Sequence, residues 1–139
     1  MIVTETKIRV RYAETDQMGY VYYGNYATYY EVGRTNALRD LGTTYNTLEK
    51  AGVMMPVMTM NVKYIKPAKY DDLLTIKTIV KEVPRMRMNF IYEVYNESGV
   101  LLNIGETTLA FISKERMRPV ACPDWLSEIF EEAFRKAKV

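Results

Sequence analysis

The sequence predicts an α+β fold: a five-stranded, mainly antiparallel sheet wrapped around one long central helix, with an amphipathic helix at the C-terminal end. Three observations carry this expectation. A strand-period segment near the start runs into a long stretch whose apolar residues cover more than half of a helical circumference. Between residues 57 and 113 apolar residues recur at every second position, interrupted only by short turn signals, and short connections favour antiparallel pairing. After Pro123 the period returns to that of a helix with a single apolar stripe. With 139 residues, 48% hydrophobic and 26% charged, the chain has the length and composition of one globular domain spanning 1–139.

In residues 6–12, Ile8, Val10 and Tyr12 fall on one face and Lys7, Arg9 and Arg11 on the other, the pattern of a half-wet strand. Residues 13–24 hold no sustained period and contain Asp16, Gly19 and Gly24, which predicts a loop. Asn25 has N-cap chemistry, and a helix is expected from it to Leu41, with Gly42 just past its end. Its apolar set is Tyr26, Tyr29, Tyr30, Val32, Gly33, Ala37 and Leu41, so it should be buried on most sides. Gly33 inside it costs about 1 kcal/mol against alanine, which implies that another backbone comes close there. Residues 44–51 predict a second, short helix ended by Gly52.

Past Pro56, Met58, Met60, Val62 and Tyr64 share one strand face, residues 67–72 connect, and Leu74, Ile76, Thr78 and Val80 follow. A turn at Pro84 and Arg85 leads to Met86, Met88, Phe90, Tyr92 and Val94, the cleanest alternation in the chain. Asn96-Glu97-Ser98-Gly99 is a hairpin turn signal, and residues 100–113 make one long last strand. The four strands read as a meander. The final helix presents Leu126, Ile129, Phe130, Ala133, Phe134 and Ala137 on one stripe.

Composition removes several chemistries. There is no histidine, which excludes Ser-His-Asp triads, Cys-His dyads, His-containing zinc sites and any His general base. The single cysteine, Cys122, allows no intrachain disulfide and suits a reducing compartment. Nineteen basic against 17 acidic residues leave a net charge of +2, too balanced for a nucleic-acid surface. No apolar run is long enough for a signal peptide or a membrane span, so a soluble, cytoplasmic protein is expected.

The most unusual stretch is residues 11–26, a long loop feeding a helix N-terminus with one carboxylate, Asp16, before the Asn25 cap. Unpaired N–H groups and the positive end of a helix dipole suit a developing oxyanion, so carboxylate and N–H pocket together suit acyl transfer. Two readings of Asp16 stand side by side: a reacting carboxylate, or an Asx-turn or cap residue. Tyr20, Tyr22, Tyr23, Tyr26, Tyr29 and Tyr30 are half of the 12 tyrosines and serve equally as core, subunit interface or binding box. Cys122 has no basic partner in the sequence and reads as inert. Arg85 and Arg87 flank a turn, as do Arg116 and Arg118, and read as solvated charges or phosphate contacts. Glu131 and Glu132 read as the wet face of the last helix, and the nine methionines as core filling or an adaptable apolar pocket.

The segment Thr15-Asp16-x-x-Gly19-x-Val21-Tyr22-Tyr23-x-Asn25-Tyr26, followed by Glu31-x-x-Arg34 and a helix ending Leu41-Gly42, resembles the 4-hydroxybenzoyl-CoA thioesterase family, including its Tol–Pal-associated type. Tyr64-x-x-Pro67-Ala68-x-Tyr70-Asp71-Asp72-Leu73-Leu74 is similar to that family's second block. The resemblance spans nearly the whole chain and implies a hot-dog fold and acyl-CoA thioester hydrolysis. Asp16 then matches the catalytic aspartate, as nucleophile or as general base for water. The Tyr23 backbone N–H would polarise the thioester carbonyl, and Asn25 would cap the helix or hold the site. Many family members carry His where this chain has Tyr23, and the missing His sets it apart from the fold's dehydratases and hydratases. Gly24 joins the expected substrate-binding set, with Lys63, Arg85, Arg87 and Arg118 as candidates for the CoA phosphates.

No cofactor and no metal are expected. The expected assembly is a homodimer or homotetramer with two equivalent sites per dimer, because one sheet on one helix leaves an edge bare and the tyrosine cluster exceeds what one domain buries. Alternatives within reach are hydrolysis of acyl groups on an acyl-carrier protein and non-catalytic acyl binding.

Overall fold

A computed structural model describes residues 1–137. Strand β1 (Ile2–Arg9) leads through a loop into helix α1 (Asn25–Asp40), and a short helix α2 (Tyr45–Lys50) follows. The remaining strands are β2 (Val53–Met54), β3 (Val57–Tyr64), β4 (Leu73–Val80), β5 (Arg87–Tyr95), β6 (Leu101–Ala110) and β7 (Ile112–Ser113), and helix α3 (Asp124–Ala137) closes the described chain. Five strands form one antiparallel sheet in the order β1-β4-β5-β6-β3, and β2 and β7 make a separate two-stranded ribbon.

Helix α1 buries one stripe, Tyr26, Tyr29, Tyr30, Gly33, Arg34, Ala37 and Leu38, against the concave face of the sheet. Thr28, Glu31, Val32 and Arg39 on its opposite side are exposed, so it is not buried on most sides as the sequence suggests. Tyr26, Tyr29, Tyr30, Gly33, Ala37 and Leu38 are buried against Leu74 and Ile76 of β4 and Phe90 and Tyr92 of β5. Tyr30 stacks on Tyr92 with ring centres 4.3 Å apart. At Gly33 a Cβ would lie 2.5 Å from the Thr78 hydroxyl and 3.1 Å from Ile76 Cγ2, so β4 side chains, rather than a backbone, make the close approach the sequence implies. Gly105 on β6 is packed in the same way beneath the Tyr30 ring. Leu41 ends the helix and Gly42 follows with φ +89°, as expected, while Val32 of the expected apolar set is exposed.

Several expectations are corrected. The first strand lies earlier, and Tyr12 is 79% exposed, because the chain turns into a 3-10 turn (Tyr12–Glu14) that the Arg11–Glu14 pair closes. The four later strands are no simple meander: β3 pairs only with β6 at the far edge, and residues 65–72 carry the chain across to β4. Met58 and Met60 are exposed for that reason, since α1 packs chiefly towards the β1 and β4 side of the sheet, and Tyr64 stays half-exposed although its ring touches Tyr26 at the start of α1. The long last strand breaks at Phe111, after which Ile112 leaves the sheet to pair with Met54. Met86 lies before β5 and is exposed, whereas Met88, Phe90, Tyr92 and Val94 are buried. Asn25 is the first helical residue rather than the cap, which falls to Gly24 with no side-chain bond. In α3 the stripe packs through Leu126 and Phe130, with Ala137 exposed.

Candidate active site

Residues 15–21 form a small closed loop between β1 and α1. The Asp16 amide donates to the Tyr20 carbonyl (2.7 Å), and the Asp16 carbonyl accepts from the Gly19 amide (3.0 Å), with Gly19 at φ +78°. One carboxylate oxygen of Asp16, Oδ1, accepts from the amides of Met18 (2.9 Å) and Tyr20 (3.2 Å). That is an Asx turn, one of the two readings left open by the sequence. It uses one oxygen only: Oδ2 has no hydrogen-bond donor among the described residues. The turn therefore aims a free oxygen outward while holding the carboxyl group still.

The segment between β3 and β4 fastens this loop from outside. The Val21 amide donates to the Ala68 carbonyl (2.8 Å) and the Tyr70 amide to the Gly19 carbonyl (3.2 Å). From inside, the Glu14 carbonyl accepts from the Tyr22 amide (2.9 Å) and from Asn25 Nδ2 (2.8 Å). Asn25 thus ties the first turn of α1 to the loop. The amides of Tyr23 and Gly24 lie between these anchors and donate to no acceptor among the described residues. Two N–H groups at the positive end of a 16-residue helix are left available to a ligand oxygen.

Asp16 and Tyr23 line one cleft of about 300 Å³. Its walls are Tyr20, Val21 and Tyr26 on one side and Tyr64, Ile65, Lys66 and Pro67 on the other. The Tyr64 hydroxyl donates to the Tyr23 carbonyl (3.2 Å), and its ring meets Tyr26 edge to face at 5.7 Å. Tyr64 and Lys66 are residues that the sequence reading did not place at the site. Tyr64 carried a signal, as the first residue of the second motif block; Lys66 carried none.

The four cations expected at phosphates lie apart from this cleft. Lys63 borders a groove of about 390 Å³ on the outer face of the sheet, with Ile91, Ile104 and Glu106. Arg85 and Arg87 border a larger hollow of about 770 Å³ with Lys81, Asn89 and, again, Glu106. Arg118 sits in the turn after β7, where its carbonyl accepts from the Ser113 amide (2.8 Å). Arg34 of the Glu31-x-x-Arg34 motif is buried among tyrosines and leaves its Nε unpartnered, so it serves the core. Cys122 is buried and desolvation pushes its thiol up to about 11, in keeping with the inert reading. No cluster of three His, Cys, Asp or Glu among the described residues is arranged to hold a metal ion, and no described helix is long and apolar enough to cross a membrane.

The model of the thioesterase-like superfamily matches residues 10–130, most of the chain and all of the cleft. The chain belongs to this superfamily. The protein YneP of Bacillus subtilis (strain 168), whose name suggests an acyl-CoA thioesterase, is 38% identical over 99% of each chain. The acyl-CoA thioester hydrolase YbgC of Escherichia coli O157:H7 is 31% identical over 90% of this chain and 93% of its own. Among solved structures, a DHNA-CoA thioesterase from Staphylococcus aureus superposes with a TM-score of 0.89 at 38% identity, covering 99% of this chain and 92% of that one. The hot-dog fold expected from the sequence is the fold of this thioesterase-like chain.

Proposed function

We propose that the chain hydrolyses an acyl-CoA thioester to the free acid and CoA, with Asp16 as the reacting carboxylate and the Tyr23 and Gly24 amides as the oxyanion site. The observation that carries this reading is the pairing, in one cleft, of Asp16 with its unbonded Oδ2 and Tyr23 with its unpaired helix-start amide, the equally unpaired Gly24 amide following next in the chain. The thioester carbonyl oxygen would sit on the amides, which stabilise the charge it gains. In one route Oδ2 bonds to the carbonyl carbon, the C–S bond breaks and CoA leaves as thiolate; water then cleaves the mixed anhydride and restores Asp16. In the other, Oδ2 takes a proton from water as the water oxygen bonds to the same carbon. The C–S bond then breaks, and CoA leaves as thiolate and takes up that proton, restoring Asp16. The relatives' names support the substrate class.

Assembly belongs to the same reading. The bare β3 edge, with Met58, Met60 and Tyr64 exposed, supports a homodimer or a homotetramer built from it. Tyr64 and Ile65 continue from that edge into the cleft, so a partner seated on β3 would complete each site. Lys66 stands in the cleft as the nearest cation for CoA phosphates, and Lys63, Arg85, Arg87 and Arg118 are proposed as cations that a neighbouring subunit brings up. Residues 1–139 acting as one domain in the cytoplasm complete the reading.

One observation favours a second reading: the two amide bonds on Asp16 Oδ1 are those of an ordinary turn, which suits an acyl-binding protein without catalysis. A panel of acyl-CoA and acyl-carrier-protein thioesters, assayed for thiol release with wild type and Asp16→Asn, separates the three. Release from CoA esters alone supports the main reading, and preference for the carrier protein moves the substrate. Binding without release in wild type establishes the second reading.

A further inference from the structure

The carboxylate of Glu14 has no part in the chemistry proposed above, yet it is the most heavily bonded side chain of the loop. Its Oε1 accepts from the Arg11 amide (2.8 Å) and from the Tyr29 hydroxyl (3.0 Å), and its Oε2 accepts from the Arg11 guanidinium (3.1 Å). Its carbonyl holds the Tyr22 amide and Asn25 Nδ2. The side chain is only 12% exposed, against 76% for Arg11. Partial burial alone would raise its pKa, but the bonds from Arg11 and Tyr29 hold the carboxyl below the ordinary glutamate value. It is therefore ionised at neutral pH and purely an acceptor.

The geometry makes this residue a clamp with two jaws. Residues 15–21 close on themselves, and their two ends meet at Glu14: the chain leaves it at Thr15 and returns to its carbonyl at Tyr22. The free amides of Tyr23 and Gly24 come next, and α1 begins at Asn25. One jaw, the carbonyl, holds the returning chain and the first helical residue; the other, the carboxylate, holds Tyr29 one turn further on. Tyr29 is buried, so its hydroxyl has a fixed position to offer. We infer that Glu14 is a positioning residue: by bonding Tyr29 it sets the distance between the Asp16 carboxylate and the Tyr23 and Gly24 amides.

This rests on the thioesterase reading, and thiol release by wild type from any acyl-CoA ester is the prior condition that tests that reading separately. Misplacing catalytic groups by about 1 Å can cost about 100-fold, so Glu14→Ala is expected to lower kcat by about 10- to 100-fold with KM within about threefold. Glu14→Gln keeps an oxygen for Tyr29 and the Arg11 amide and should recover kcat to within about fivefold of wild type. Tyr29→Phe should lower kcat by about three- to tenfold, and Glu14→Ala/Tyr29→Phe should be no slower than Glu14→Ala alone, because one bond is lost in both. Glu132→Ala, which removes the comparable Arg135–Glu132 ion pair on α3, is the control for loss of a surface salt bridge. A folded Glu14→Ala protein with wild-type kcat overturns the inference, and so do multiplicative effects in the double variant. If Glu14→Ala fails to fold, Tyr29→Phe decides alone: unchanged kcat overturns the inference, and lower kcat with unchanged KM and melting temperature supports it.

Discussion

One row of side chains crossing the sheet shows how different its two ends are. Phe90 on β5, Thr107 on β6 and Met60 on β3 are register partners on the concave face. Phe90 is fully buried, Thr107 is 1% exposed and Met60 is 43% exposed. Towards β1 the helix α1 lies on the sheet and closes a core; towards β3 the sheet runs past the helix into open space. The proposed chemistry is on the open side, where Tyr64 and Ile65 leave β3 and meet Asp16. The division teaches that the covered half carries stability and the open half carries reactivity and association, two jobs with opposite demands on burial.

If the division holds, substitutions on the two sides differ in what they change. Asp16→Asn on the open side has the largest expected effect. Asparagine keeps Oδ1 and the two amide bonds, so the turn and the melting temperature should survive while kcat falls by on the order of 10²–10⁴. A well-folded variant with near-normal turnover would remove the proposed mechanism and leave the Asx turn as the whole role of Asp16.

Phe90→Ala on the covered side should cost about 3–5 kcal/mol in denaturant unfolding. A loss below about 1 kcal/mol would mean that the core is not concentrated there. Met60→Lys comes next: unfolding of the chain should change little, and self-association measured by sedimentation should weaken about tenfold or more, about 1.4 kcal/mol. Unchanged association would move the subunit interface away from β3. The smallest effect belongs to Tyr23→Phe. The backbone amide does the proposed work and the side chain is exposed, so kcat should stay within about twofold of wild type. A loss as large as that of the aspartate variant would bring the phenol into the reaction.

The covered half was the legible one. Alternation names the inward face of a strand and a 3.6-residue apolar period names a helix that packs on it, so β4, β5 and α1 follow from pattern alone, although the helix buries one stripe rather than most of its surface. Strand order does not follow, because a period of two is the same for a central and an edge strand. Met58, Met60 and Tyr64 therefore read as one face of a strand, with nothing to say that the strand lies at the edge where that face is exposed. Tyr12 continues an alternation by coincidence; the opposing signal was the Arg11 and Glu14 spacing, whose bonds close a turn. At the site, the loop-to-helix junction pointed to Asp16 and the family resemblance named Tyr23 and Asn25; the structure puts Asp16 and Tyr23 in one cleft and uses Asn25 to tie the helix start to the Glu14 carbonyl. The cations carried no such information. Lys63, Arg85, Arg87 and Arg118 are spread over the outer surface and a turn, and charge alone does not say which surface a side chain faces.

Gly33 has a mechanical consequence. The separation of helix and sheet at that point is set by a missing atom, so no rotamer of the residue itself can absorb an added methyl group. With Thr78 and Ile76 in the way, whatever those buried side chains do not yield the helix has to make up by lifting. Helix α1 is a stiff rod, and the free amides at its start lie about 14 Å along the axis from Gly33. A few tenths of an ångström at one end is delivered as a tilt at the other, with Glu14 holding the loop against it. A substitution buried in the core therefore works as a lever on the reacting groups, and its first symptom would be slower turnover in a protein that still melts as one unit.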